Sequence, residues 1–477
     1  MKGFIICFLL CISVTAWTQE SEVDAERLLQ QVLTEELGTR FSSNNSVVLL
    51  YTGQNKFDAM FNAIRQARHY VHLEYFNFRN DSIGLALFDL LGQKAAEGVE
   101  VRAMFDSFGN SSNDSPLQNR HLEAIRETGV QVEEFDPIKF PWINHAYHRD
   151  HRKIVVIDGA VAYTGGMNVA DYYIHGRPEY GEWRDMHMEL TGDVVAEYER
   201  LFARMWWEQT GEILLNEIYA PQPSTLNSQL STLNSQLSTS NSQLSTLNPQ
   251  LSTFNSKPST SNSQLSTSNP QLSTFNSQLS TSFTLLPDTT STAGHKTIGV
   301  VERGPGLHSK DMRKAYVAAI DAAQHHIQIV NPYPTNVKSV RRALRRALKR
   351  GVRMEIMVSA KSDVPITPDV VALEMKKLAK RGAEVYYNQT GFHHSKVMMV
   401  DGRYCTVGST NLDARSFCFD YEVNSFIFDA ATTRQLQHIF EQDKRNCTTF
   451  TVDDYRRTQN FGHRLTGHFF SLFRGFF

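Results

Sequence analysis

Charge excess of either sign is missing from this sequence: 48 Lys and Arg face 50 Asp and Glu, a formal charge of −2 over 477 residues. A chain that grips a nucleic-acid backbone normally shows a marked basic excess, so no nucleic-acid partner is expected. Long apolar runs are missing too. The N-terminal MKGFIICFLLCISVTAWTQE has one Lys and then apolar residues from Phe4 to Ala16. That is too short for a spanning helix and fits a signal peptide or membrane anchor over residues 1–19. It implies an exported or membrane-associated protein at the extracytoplasmic face of the cell membrane. Cysteine is scarce: beyond the leader only Cys405, Cys418 and Cys447 remain. An odd count argues against a disulfide framework. Metal-site patterns are absent as well. His145, His148 and His151 stand three apart in NHAYHRDHRK, but no Cys or carboxylate cluster completes a shell. No metal and no cofactor is expected.

What is present begins with a decoy. Residues 224–279 repeat a heptad, STLNSQL, with Leu226, Leu230, Leu233 and Leu237 at coiled-coil spacing. Ser, Thr and Asn are poor helix-interior residues, and Pro249, Pro258 and Pro270 would break the ladder. Residues 221–283 therefore read as a disordered linker without chemistry.

Either side of it, residues 45–220 and 284–450 share one grammar, and an aromatic tail, 451–477, follows. Each half runs helix, strand, helix, strand, helix, strand. Examples are YVHLEYF (70–76) with VEVRAMF (99–105), and IQIVNPY (327–333) with VRMEIMV (352–358). Alternating helices and strands predict an α/β fold of two similar halves, each a mostly parallel sheet flanked by helices. The basic run RRALRRALKR (341–350) reads as a surface helix with an apolar inner face through Val340, Leu344 and Leu348.

Each half then carries His-x-Lys-x4-Asp-Gly: His151, Lys153 and Asp158 in the first, His394, Lys396 and Asp401 in the second. Three fixed positions should match by chance roughly 0.05 times in a chain this long, and a second match is rarer still. IVVI and VMMV read as buried strands, and each Asp-Gly as a two-residue hairpin turn. That register sets His151 opposite Gly166 and His394 opposite Ser409, with Asn168 and Asn411 seventeen positions after their histidines. Period-two alternation puts each His and Lys on one face and the Asp on the other. His, Lys, Asn and a small residue make a cradle for a phosphoryl group. Two cradles would let one His attack phosphorus while the other protonates the leaving oxygen and then activates the acceptor, with a phosphohistidine between.

The motif pair resembles the phospholipase D superfamily over nearly everything except the leader, the repeat and the extreme C-terminus. LEYFNF, HRDHRKIVVIDGAVAYTGGMNVADYY, WRDMHMELTG and GSTNLDARSFCFDYEVN look most like its bacterial cardiolipin synthase branch. The resemblance implies two halves packed around a pseudo-twofold active site, His151 as nucleophile and His394 as acid and base. It implies motif Asp residues that are more structural than catalytic. A downstream acid is implied to orient each His, with Asp185 and Glu422 as candidates and their pairing open. Phosphatidyl transfer making cardiolipin from two phosphatidylglycerols follows, at a membrane surface. Hydrolysis to phosphatidic acid, and then a nuclease, are the alternatives. FPWIN (140–144) and LTGHFFSLFRGFF (465–477) add aromatic stretches suited to lipid.

Overall fold

The structure, a computed structural model, describes residues 24–137, 147–214 and 293–472 apart from 307, 336 and 366. The leader, FPWIN, His145, the heptad repeat and residues 473–477 lie outside them. The portions before residue 215 and after 284 form one compact unit.

The first half supplies strands β1 (Phe41–Leu50), β2 (Tyr70–Tyr75), β3 (Glu100–Asp106), β4 (Gln131–Phe135), β5 (Ile154–Ile157), β6 (Val161–Gly165), β7 (Glu182–Arg184) and β8 (His187–Thr191). The second supplies β9 (Lys296–Arg303), β10 (His326–Val330), β11 (Arg353–Ser359), β12 (Glu384–Asn388), β13 (Gly391–His393), β14 (Val397–Val400), β15 (Tyr404–Gly408), β16 (Glu422–Phe428) and β17 (Cys447–Phe450). Among the described residues, fifteen of them join one sheet, ordered β17-β12-β11-β10-β14-β15-β16-β9-β1-β8-β6-β5-β2-β3-β4. Read outward from the β1–β9 seam, the two halves repeat the same order, and β17 caps one edge.

The α/β class and the paired halves stand as expected, but the sheet is mixed. Its parallel ladders are β2–β3, β3–β4, β10–β11 and β11–β12. Those are the pairs separated by crossover helices: Ser82–Ala96, Asn119–Glu127, Lys338–Arg350 and Thr367–Ala379. Toward the seam the strands return through short turns and pair antiparallel, including the motif hairpins β5–β6 and β14–β15. A single sheet thus spans both halves.

Apolar burial drives these choices. IVVI and VMMV are buried throughout, at roughly 1.5–3 kcal/mol for each large side chain removed from water. In the helix Lys338–Arg350 the basic residues Arg342, Arg346, Lys349 and Arg350 are exposed, while Val340, Ala343, Leu344 and Ala347 are buried. The helix ends at Gly351, whose φ of 91° suits a left-handed cap.

The C-terminal helix Phe461–Leu472 lies on the helix Thr367–Ala379, with His463 Nδ1 3.0 Å from the Asp369 carboxylate. Phe461, Leu465, Phe469 and Leu472 remain exposed. Among the described residues no helix is long and apolar enough to cross a membrane. The expected exported or membrane-associated placement at the extracytoplasmic face is corrected on that finding, which gives it no support among the described residues.

Candidate active site

The hairpin turn differs from the sequence reading by one residue. Ile157 pairs with Val161 and Val400 with Tyr404, so each loop has three residues, not two. Asp158 and Asp401 both have φ of 53° and Gly159 and Gly402 follow at 61° and 66°. Ala160 N and Arg403 N each close the turn at 3.0 Å on the last strand carbonyl. The extra residue shifts the register, and His151 and His394 no longer face Gly166 and Ser409.

The motif Asp residues are also far from the chemistry. Asp158 accepts three backbone N–H bonds, from Arg68, His69 and Tyr70, each at 2.8 Å. Asp401 repeats this with Gln324, His325 and His326 at 2.7–2.8 Å. Each carboxylate pins the start of the strand beside its hairpin. Their contacts are those of structural residues, which tie each motif hairpin to the neighbouring strand.

Short parallel pairings carry each His to the opposite half. Tyr421 N donates to Arg149 O at 2.8 Å, and His151 N donates to Tyr421 O at 3.1 Å. In the mirror position β13 pairs in parallel with β7, and His394 N donates to Arg184 O at 2.6 Å. The next residue along each partner strand is an acid. His151 Nδ1 thus lies 3.0 Å from Glu422 Oε1, and His394 Nδ1 lies 2.7 Å from Asp185 Oδ2. The pairing left open by the sequence is crossed: each half's acid serves the other half's His. With Nδ1 donating to the carboxylate, Nε2 of His151 is left for the cleft, whereas Nε2 of His394 also lies 3.0 Å from Lys396 Nζ.

Both histidines line one cleft of about 430 Å³, with Asn168 and Asn411 beside them. The backbone N–H of Asn168 is fixed by Tyr173 and that of Asn411 by Ser416, at 3.0 and 3.2 Å. Neither carboxamide oxygen has a hydrogen-bond partner among the described residues. Lys153 and Lys396 are fully buried behind their histidines. Lys153 Nζ donates to His151 O at 2.5 Å, and Lys396 Nζ lies 2.7 Å from His394 Nδ1.

Gly166 and Ser409 do not line the cleft, contrary to the expectation that they make room for a ligand. Ser409 Oγ donates to Glu422, steadying that carboxylate. A Cβ on Gly166 would lie 2.2 Å from Asp185 Oδ1. The glycine makes room for the acid. Gly166→Ala should lower kcat about 100-fold by displacing Asp185 from His394, with a loss of stability because the carboxylate is buried. Unaltered kcat would show that the carboxylate does not need its place.

The electrostatics separate the two histidines. Burial, then Lys153 and Lys396, pushes the His151 imidazole well below its usual value. Burial and Lys396 also lower His394, but the Asp185 carboxylate opposes them. Burial raises the Asp185 carboxyl, yet Lys396 and His394 outweigh it and hold it low, whereas burial raises Glu422. Asp185 therefore favours a protonated His394 more than Glu422 favours a protonated His151. Burial brings Lys153 down to about 7 and Lys396 to about 8.

The sequence reading missed the cleft walls. Phe76, Arg79, Asp114, Tyr172, Arg177, Trp183, Tyr333 and Arg415 line it. Trp183 and Tyr333 each stand 6.0 Å, ring to ring, from His394. The aromatic and basic residues of YYIHGRPEYGEW were the available signal. His148 is exposed with Nδ1 3.1 Å from Phe419 O, and His393 is bound to Asp443 at 3.0 Å.

The family model described as "Cardiolipin synthase, PLD-like domain" matches twice, over residues 60–206 and 316–444. A cardiolipin synthase of Oceanobacillus iheyensis is 30% identical over 86% of this chain and 71% of its own length. A probable cardiolipin synthase of Bacillus subtilis is 29% identical over 91% and 73%. The crystal structure of a phosphatidylserine synthase from Haemophilus influenzae superposes with a TM-score of 0.63, covering 95% of this chain and all of that one. At 13% identity that likeness speaks for the fold alone. With the doubled motif, the crossed acids and two family matches covering more than half its length, this chain belongs to the cardiolipin synthase family of phospholipase D-like enzymes.

Proposed function

We propose that the chain is a phosphatidyltransferase that makes cardiolipin and glycerol from two phosphatidylglycerols at a lipid surface. The observation that carries this is the pair of histidines in one cleft, each held at Nδ1 by a carboxylate from the other half. His151, the more readily neutral imidazole, attacks phosphorus through Nε2. The bond from phosphorus to the glycerol oxygen breaks, and His394 gives that oxygen its proton. A phosphatidyl-histidine and free glycerol result. His394, now neutral, takes the proton of the second phosphatidylglycerol's hydroxyl as its oxygen attacks, and the phosphorus–nitrogen bond breaks. Lys153, Lys396, Asn168 and Asn411 offset the charge on the phosphoryl oxygens.

The test is product analysis by mass spectrometry, with the purified chain and phosphatidylglycerol in mixed micelles. Cardiolipin and glycerol in equal amounts are expected. Phosphatidic acid as the sole product would make the enzyme a hydrolase.

The lysines give the pH dependence its sign. Both carry charge below about pH 7, and lose it as pH rises through about 8. Efficiency toward an anionic donor should fall above pH 8, by up to about tenfold per unit for each proton lost. A kcat/KM profile that is flat or rising from pH 7 to 9 would contradict their role.

A further inference from the structure

A phospholipid acceptor brings a second phosphodiester into the cleft, and its hydroxyl must reach His394 while that negative charge is held nearby. Water makes no such demand. The acceptor's charge therefore needs a cation on the His394 side.

The first half departs from the second at this point. Asn168 to Asp185 spans seventeen positions, whereas Asn411 to Glu422 spans eleven. The longer segment carries Arg177 and Tyr180 onto the cleft wall. The Arg177 guanidinium lies 4.8 Å from the Tyr172 ring centroid and 5.8 Å from that of Trp183. Trp183 is in turn 6.0 Å from the His394 ring. Arg177 thus stands one aromatic ring away from the acid and base. Near it Arg79 is fixed by Asp81 at 3.2 Å, and both arginines bind the same carboxylate, Asp114. Arg177 reaches both Asp114 oxygens, at 3.1 and 3.2 Å. The Asp114 side chain is 61% exposed, so it can swing into solvent. The other wall has Arg415, bound to Asp420 at 2.9 Å, and its charge acts on His151.

We propose that Arg177, backed by Arg79, is the subsite for the acceptor phospholipid's own phosphodiester, with Asp114 holding the place until the lipid displaces it. The proposal rests on the phosphatidyltransferase reading. A phosphodiester carries one negative charge, as Asp114 does, and an arginine fork suits its paired oxygens. The subsite then decides between lipid alcohol and water.

The experiment supplies phosphatidylglycerol as donor to the full chain, with isotope-labelled glycerol or glycerol phosphate as competing acceptors. The unaltered chain should favour glycerol phosphate in kcat/KM. Arg177→Gln should lower that preference roughly tenfold to a hundredfold. Asp114→Asn should lower KM for glycerol phosphate more than for glycerol. Preference unchanged in both variants overturns the subsite while leaving the transferase intact. Phosphatidic acid as the only product of the unaltered chain overturns both, and so separates the two failures.

Discussion

His151→Ala will abolish phosphatidyl transfer, lowering kcat on the order of 10⁴-fold or more, because the group that bonds to phosphorus is gone. His394→Ala will look as inactive in steady state but fail later. A donor with p-nitrophenol in place of glycerol needs no proton at its leaving oxygen. With that donor His394→Ala should release one equivalent of p-nitrophenol per cleft and then stall, with the phosphatidyl group bonded to His151. His151→Ala should give no burst. The division rests on the neighbours: Asp185 stays ionised beside His394, while burial raises Glu422 beside His151. A burst in His151→Ala and none in His394→Ala would exchange the two roles.

The largest effect on stability is expected at Arg149. Its guanidinium is wholly buried, donates to both Asp106 oxygens at 2.9 and 3.1 Å, and reaches the carbonyls of Phe135 and Asp136. Its own carbonyl accepts from Tyr421, so it also anchors the strand that leads to Glu422. Arg149→Met should cost about 3–5 kcal/mol, measured by denaturant unfolding, because it strands a buried carboxylate. Burial already raises Asp106 to about 6, even with Arg149 in place. A folded pKa above the unfolded one means that burying the charge is unfavourable at high pH and is relieved as pH falls through the folded value. The variant's deficit should therefore be larger at pH 8 than at pH 5. A deficit under 1 kcal/mol, or one growing with acid, would show that the ion pair is not what holds this junction.

Much of this was legible in the sequence because it is local or repeated. The two His-x-Lys-x4-Asp-Gly copies, the buried tetrads after them and the helix–strand alternation all lie within short windows. Seam pairing does not. Nothing within a window says that β1 will lie antiparallel to β9, so alternation suggested two mostly parallel sheets where one mixed sheet formed. The hairpin register failed for a subtler reason. Asp-Gly does supply the two positive-φ positions, but a third residue stays in the loop and moves every partner by one. Gly166 and Ser409 were found as echoes of each other and given the wrong duty. That Gly166 makes room for Asp185 is visible only once β7 brings the acid across. Arg177 was missed because it breaks the symmetry that revealed the other residues.

The crossed acids bear on how such a chain can change over generations. After a duplication, one copy is ordinarily free to drift while the other keeps the activity. Here each copy holds the carboxylate that its twin's histidine depends on, so neither is spare. Loss of Glu422 disables a group inherited in the first half, and loss of Asp185 one inherited in the second. Divergence is then confined to what lies between the shared positions, and the six additional residues that bear Arg177 sit in that permitted interval.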